Sequence, residues 1–126
     1  MGITALPNSV SATITSATGY AIPNLVNVGG ANPIEYRRVI QSIVFYNLET
    51  TGDTEYRVMF GTRTVFQFTL KPKENFTIEG LKMTQLGDVA PATTNNDATK
   101  ITCQVVTAGK TLGANVVISF ANITIS

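Results

Sequence analysis

Apolar positions recur at every second residue in short runs through most of the chain, and the runs break at glycine, proline or aspartate. Tyr56, Val58 and Phe60 alternate with Glu55, Arg57 and Met59, and Phe66, Phe68 and Leu70 alternate with Val65, Gln67 and Thr69. A period of two puts successive side chains on opposite faces, so each run has one core face and one mostly solvated face. The pattern predicts strands over Tyr36–Asn47, Glu55–Phe60, Thr64–Leu70, Asn75–Ile78, Thr99–Thr107 and Val116–Ile125. Turns are expected at Thr51-Gly52-Asp53, Gly61-Thr62, Lys71-Pro72-Lys73, Leu86-Gly87-Asp88 and Ala108-Gly109-Lys110, with Gly87 free to take a positive φ. No long stripe of period 3.6 competes, so helix should be minor. The fold class is all-β, an antiparallel sandwich of jelly-roll-like form with an extended N-terminal arm.

Three stretches depart from simple alternation. Ile43-Val44-Phe45-Tyr46 is apolar on both faces, which predicts a central strand covered by a second sheet inside and a partner subunit outside. In the last strand Ile118 and Phe120 have one parity and Ile123 and Ile125 the other, and a β-bulge near Ala121-Asn122 would put all four on one side. The first 33 residues carry no charged side chain, three prolines (Pro7, Pro23, Pro33) and the pair Gly29-Gly30. Ile3, Leu6, Val10, Ile14, Tyr20, Ile22, Leu25, Val26 and Val28 make this segment too apolar for a disordered tail. It reads as an arm over 1–33, partly strand, laid on the sandwich of residues 34–126 or on a neighbour; the alternative is that it supplies the first strands of the sandwich. Residues 90–98 read as a polar loop, a tip or contact element.

Composition narrows the function. A chain of 126 residues suits one domain. Only 13% of residues are charged, about half of the usual share of roughly 25%, so much of the surface is neutral or covered by a partner. The 19 threonines suit the solvated faces of sheets. A net charge of +1, with Arg37-Arg38 as an adjacent basic pair, gives no footprint for nucleic acid. Cys103 stands alone in the alternation Ile101, Cys103, Val105 and reads as a buried apolar side chain, consistent with assembly in a reducing cytoplasm. No apolar run is long enough to suggest a membrane span, and the N-terminus lacks the pattern of a secretory signal or a myristoylation site.

The chemistry of catalysis is sparse. Without histidine, imidazole-based nucleophilic catalysis and imidazole metal sites are excluded. One cysteine with carboxylates is a poor zinc ligand set. Asp53 with Glu55, or Glu74 with Glu79, are the carboxylate pairs open to acid–base work, but they lie in or beside turns where solvated charge is expected. Gly29-Gly30 is followed by Ala31-Asn32-Pro33 and lacks the lysine and hydroxyl of a phosphate loop. There is no tryptophan for a sugar platform, and the aromatic residues alternate inward, away from any single-stranded nucleic acid. The sequons Asn75-Phe76-Thr77 and Asn122-Ile123-Thr124 read as chance matches. The expectation is a protein that is not an enzyme, with no catalytic residue, cofactor or metal.

One stretch carries a resemblance. Val39 to Asn47 leads through a Thr-Gly turn to Tyr56-Arg57-Val58-Met59-Phe60. Leu70-Lys71-Pro72-Lys73-Glu74, then Gln85-Leu86-Gly87-Asp88-Val89 and a closing pair of strands follow. This layout resembles the small β-sandwich structural proteins of tailed bacteriophage virions. The resemblance implies a capsid decoration or cement protein, often a homotrimer, that clasps the major capsid protein and stabilises the shell on the virion surface. A tail or receptor-binding module and a carbohydrate-binding sandwich are the alternatives. The partners expected are the major capsid protein and further copies of the chain, with no nucleic acid and no membrane. Candidate interface residues are Ile3, Leu6, Val10, Ile22, Leu25 and Val26 in the arm, with Val44 and Tyr46 on the doubly apolar strand.

Overall fold

Eight antiparallel strands form in the computed structural model, which describes residues 2–89 and 96–126. They are β1 (Ile3–Ile14), β2 (Tyr20–Ala21), β3 (Glu35–Asn47), β4 (Thr54–Phe60), β5 (Arg63–Leu70), β6 (Asn75–Leu86), β7 (Ile101–Val105) and β8 (Ala114–Ile125). The sole helical element among the described residues is a 3-10 turn, Asp97–Thr99. Sheet A has the order β1-β8-β3-β6 and sheet B the order β2-β7-β4-β5. The first strand therefore lies beside the eighth, the second beside the seventh, the third beside the sixth and the fourth beside the fifth. That is one long hairpin wound into two layers, the topology of an eight-stranded jelly roll. Of the N-terminal 33 residues, 3–14 lie along β8 as the edge of sheet A and 20–21 bridge to β7.

The core is the space between the sheets. Ile40, Ile43, Phe45, Ile118 and Phe120 from sheet A meet Tyr56, Val58, Ile101 and Cys103 from sheet B, all essentially without solvent contact. Ile14, at the end of β1, joins them. The alternation expected for β4 holds, with Tyr56 and Val58 inward. In β5 a bulge leaves Val65 unpaired between Phe66, opposite Val58, and Thr64, opposite Met59, so Val65 packs against the core while Phe66 is exposed.

The bulge expected near Ala121-Asn122 does not form. Strand β8 keeps an unbroken register with β1 over twelve pairs. The irregularity sits in β3, where Gln41 is an extra residue between Ile40, opposite Phe120, and Ser42, opposite Ser119. Ile123 and Ile125 consequently face away from the core. The same site explains why β6 outruns the expected Asn75–Ile78. Gly80 takes φ +68°, and Gly80, Leu81 and Lys82 together oppose Gln41 before pairing resumes at Met83. A left-handed residue is cheap only for glycine, so the strand bends and continues where the sequence reads as a stop. Strand β7 is shorter than expected because Asp97–Thr99 coils just before it, with Thr99 Oγ1 accepting from the Leu86 N–H at 3.0 Å.

One end of the sandwich is closed by buried polar groups. Asn47, at the end of β3, has no solvent contact. Its Nδ2 donates to the carbonyls of Leu70 (3.3 Å) and Lys71 (3.0 Å), and its Oδ1 accepts from the Glu49 N–H (3.1 Å) and the Tyr56 hydroxyl (2.7 Å). The Glu49 carboxylate accepts from the N–H groups of Leu112 (3.0 Å) and Gly113 (2.7 Å). Burial pushes the Tyr56 hydroxyl up to about 12, against a smaller lowering by Thr54.

Candidate assembly surface

The outward side chains of sheet A form rows set by the register. Tyr46, Asn115 and Thr13 lie side by side on β3, β8 and β1, followed by Val44, Val117 and Ser11, then Ser42, Ser119 and Ser9. Beyond the bulge come Val39, Ala121 and Pro7, then Arg37, Ile123 and Ala5, then Glu35, Ile125 and Ile3. Small residues make a low waist across the middle, with apolar rows on either side. No charged side chain occurs in residues 1–34 or 111–126. Because β1 and β8 come from these two segments and are neighbours, half of sheet A is uncharged on both faces. The charged residues of these rows, Glu35 and Arg37, pair with each other at 2.8 Å.

The edge of this sheet is a separate matter. Gly2 and Ser126 exchange both backbone hydrogen bonds, at 2.7 and 2.9 Å. In an antiparallel ladder the next residue then turns its N–H and C=O outward, so positions 3, 5, 7, 9, 11 and 13 present the open edge. Pro7 has no N–H to offer, and the Ser9 N–H already donates to its neighbour Asn8 Oδ1 at 2.8 Å. The centre of the edge is thus blocked against strand addition, with no charge used to do it.

The segment between β2 and β3 is pinned by polar groups. Asn27 N–H donates to the Asp88 carbonyl (2.9 Å) and Asp88 N–H to the Leu25 carbonyl (2.7 Å). Asn27 Oδ1 accepts from the Tyr36 N–H at 2.8 Å. Gln85 Nε2 donates to the Ile22 carbonyl (2.8 Å), and Arg38 Nη1 donates to the Pro23 carbonyl (2.8 Å) and to Gln85 Oε1 (3.0 Å). Arg38, a buried residue at 7% exposure, also sets its guanidinium 4.7 Å from the Phe120 ring centroid, and burial lowers its pKa. The Asp88 carboxyl is held below its usual range, first by the Asn96 backbone N–H and then by the Asn24 side chain. Gly87 does not take the positive φ open to it in the sequence reading. Its role is close approach: a Cβ there would meet Asn27 Oδ1 and stand 3.0 Å from the carbonyls of Leu25 and Tyr36.

The candidate interface residues fall into distinct settings. Ile3 and Leu6 are each 68% exposed on β1, and Val26 and Tyr46 are also open to solvent. Val44 is half-buried on the outer face of a strand that is central, as expected, yet none of the described residues forms a layer over that face. Val10 is half-buried against the core, and Leu25 is half-buried in the pinned segment. Ile22 is a correction: at 1% exposure it belongs to the core and has no surface to offer. Val117, Ile123 and Ile125 share the face with Val44 and were missed, because the expected bulge turned the last two inward. Among the carboxylates, Asp53, Glu74 and Glu79 are exposed and Glu55 is half-buried. Cys103 is buried, and burial pushes its thiol up to about 12. Of the two sequons, Asn75 is exposed, whereas Asn122 lies within β8 with Oδ1 near Arg38 Nε at 3.4 Å. Residues 90–95 of the expected polar loop lie outside the described residues, and Asn96 closes onto Asp88 and Gly87.

No family model matches the chain, and no curated protein matches it. Among solved structures it is similar to a pilus of Bacillus endospore appendages, from a family of disulfide-linked pili. The TM-score is 0.39 at 12% identity, over 98% of this chain and 88% of that one. It is also similar to infectious bursal disease virus VP2 from a subviral particle, with a TM-score of 0.25 at 11% identity, over 98% of this chain and 32% of that one. The functional reading therefore rests on this chain's own surface.

Proposed function

We propose that this protein is a structural, non-catalytic subunit of a virion, of the decoration or cement type, which binds the major capsid protein and stabilises the shell from its outer surface. The observation that carries the reading is the uncharged half of sheet A. The terminal segments, without a single charged side chain, come together as β1 and β8 and leave Ile3, Leu6 and Val117 exposed. Buried interface cores are depleted of lysine, glutamate and aspartate, whereas a free surface of this size normally carries them. The jelly roll supports the reading by supplying rigid faces fixed by register, on which a partner finds a constant relief.

The test is co-sedimentation of the purified chain with empty capsid shells, read together with the thermal resistance of the shells. Saturable binding and a higher shell-disruption temperature are expected. A chain that stays in the supernatant at every concentration and leaves shell stability unchanged would overturn the proposal.

A further inference from the structure

We infer that the outer face of sheet A is a homodimer interface, closed by a two-fold axis that lies between the copies and runs along β8. This goes beyond the structural reading above: a second copy takes the outer face of β1, β8 and β3, and the shell contact is left to the other uncharged surface, where Leu6 and Val26 are exposed.

Four observations converge on a second copy. First, lateral growth at the β1 edge is blocked at its centre by Pro7 and by the Asn8–Ser9 hydrogen bond, so a copy that meets β1 and β8 does so through their face. Second, the β1 and β8 part of the face is uncharged, and the two charges on β3, Glu35 and Arg37, pair with each other; Glu79 on β6, opposite Ser42, lies beyond β3, and a two-fold along β8 carries it past the other copy's β1 edge and not against a like charge. Third, the area is adequate. Three strands of about twelve residues span roughly 14 by 40 Å, so two copies would bury on the order of 1,100 Å², above the roughly 1,000 Å² a specific interface needs.

The fourth observation is relief. Tyr46, 38% exposed, stands proud at the β3 side of the face. In the same rows, on the β1 side, lies a shallow depression of about 420 Å³ lined by Ser11, Ala12, Thr13, Asn115 and Val117. Rotation about an axis along β8 exchanges the β3 and β1 sides and keeps each row in place. Each Tyr46 then lands over the other copy's depression. The serine and alanine waist, Ser42, Ser119, Ser9 and Ala121, lets the two sheets approach to the usual packing distance of about 10 Å. Val117, on β8, meets its own counterpart across the axis.

The experiment is light scattering of the full chain, compared with Val117→Lys and with Val117→Cys treated with a short thiol-specific crosslinker. A dimer is expected for the native chain. Val117→Lys, which places two ammonium groups together, should be a monomer that keeps its circular dichroism spectrum, with dimer affinity down at least tenfold. Val117→Cys should be joined into a covalent dimer by the crosslinker, since the two thiols face each other across sheets about 10 Å apart while Cys103 is buried, and serves if the lysine variant fails to fold. A native monomer or trimer, or a dimer indifferent to Val117→Lys and not captured by Val117→Cys, overturns the inference. Shell co-sedimentation separates the two readings: a monomer that still binds shells refutes the dimer alone, and a dimer that ignores shells refutes the virion role alone.

Discussion

Replacing Asn47 with alanine should be among the most damaging polar substitutions in the chain, and its cost can be worked bond by bond. The side chain makes four hydrogen bonds from a position with no solvent contact. Two of the partners keep a second bond: the Tyr56 hydroxyl still reaches the Gly113 carbonyl at 3.2 Å, and the Lys71 carbonyl still accepts from the Glu74 N–H at 3.1 Å. The Glu49 N–H loses the partner described here, and the Leu70 carbonyl loses its side-chain donor. With about 1 kcal/mol for each net bond and more for a buried group left unpaired, the loss is about 3–4 kcal/mol. At roughly 3–5 °C per kcal/mol for a domain of this size, the melting temperature should fall by about 10–15 °C. Tyr56→Phe is the internal control. Both acceptors of its hydroxyl keep another donor, Glu49 N–H for Asn47 Oδ1 and Leu48 N–H for the Gly113 carbonyl, so it should cost only about 1–1.5 kcal/mol. Urea unfolding followed by fluorescence measures both. If Asn47→Ala costs no more than Tyr56→Phe, the closed end is not held by this side chain and the reasoning fails.

Glycine positions should separate by space as well as by φ. Gly113→Ala, at φ +67° with a Cβ that would overlap the Ile14 carbonyl, should prevent folding or lower stability by more than about 3 kcal/mol. Gly80→Ala, at φ +68° with nothing within 4 Å, should cost only about 1 kcal/mol; equal losses in urea melts would contradict this. High pH should destabilise the fold. Tyr56 and Cys103 both hold their protons more tightly when folded, up to about 12. Their contribution is therefore complete below the unfolded values of about 8.5–10 and is lost as pH rises from there through about 12. A stability profile flat from pH 8 to 12 would exclude this. The same burial means that Cys103 should react with a thiol reagent only as fast as the chain unfolds.

Alternation made the individual strands legible, because residues such as Tyr56 and Val58 leave little choice of face. The pairing of the strands was not legible. Which strand lies beside which depends on contacts across the whole chain, so β1 beside β8 could not be read from either segment alone. The face missed its full extent for a local reason. Gln41 looks like an ordinary polar position, yet it absorbs the bulge that was assigned to Ala121-Asn122, and that error hid Ile123 and Ile125 from the outer surface. The polar supports were also unreadable: Asn24, Asn27 and Asn47 look like turn formers, and Arg38 looks like half of a solvated basic pair until its neighbours Gln85 and Phe120 are in place.

The position of β8 governs when the chain can fold. Being the last of the eight strands in sequence and yet an interior member of sheet A, it must enter between β1 and β3, so neither neighbour can complete its ladder until residue 125 has left the ribosome. Until then β1 has no partner strand and the apolar row of β3 stays open. Contacts this distant in sequence make folding slow. Nascent chains of this protein should therefore depend on crowding control, by chaperones or by low local concentration, for the interval between synthesis of residue 47 and synthesis of residue 125.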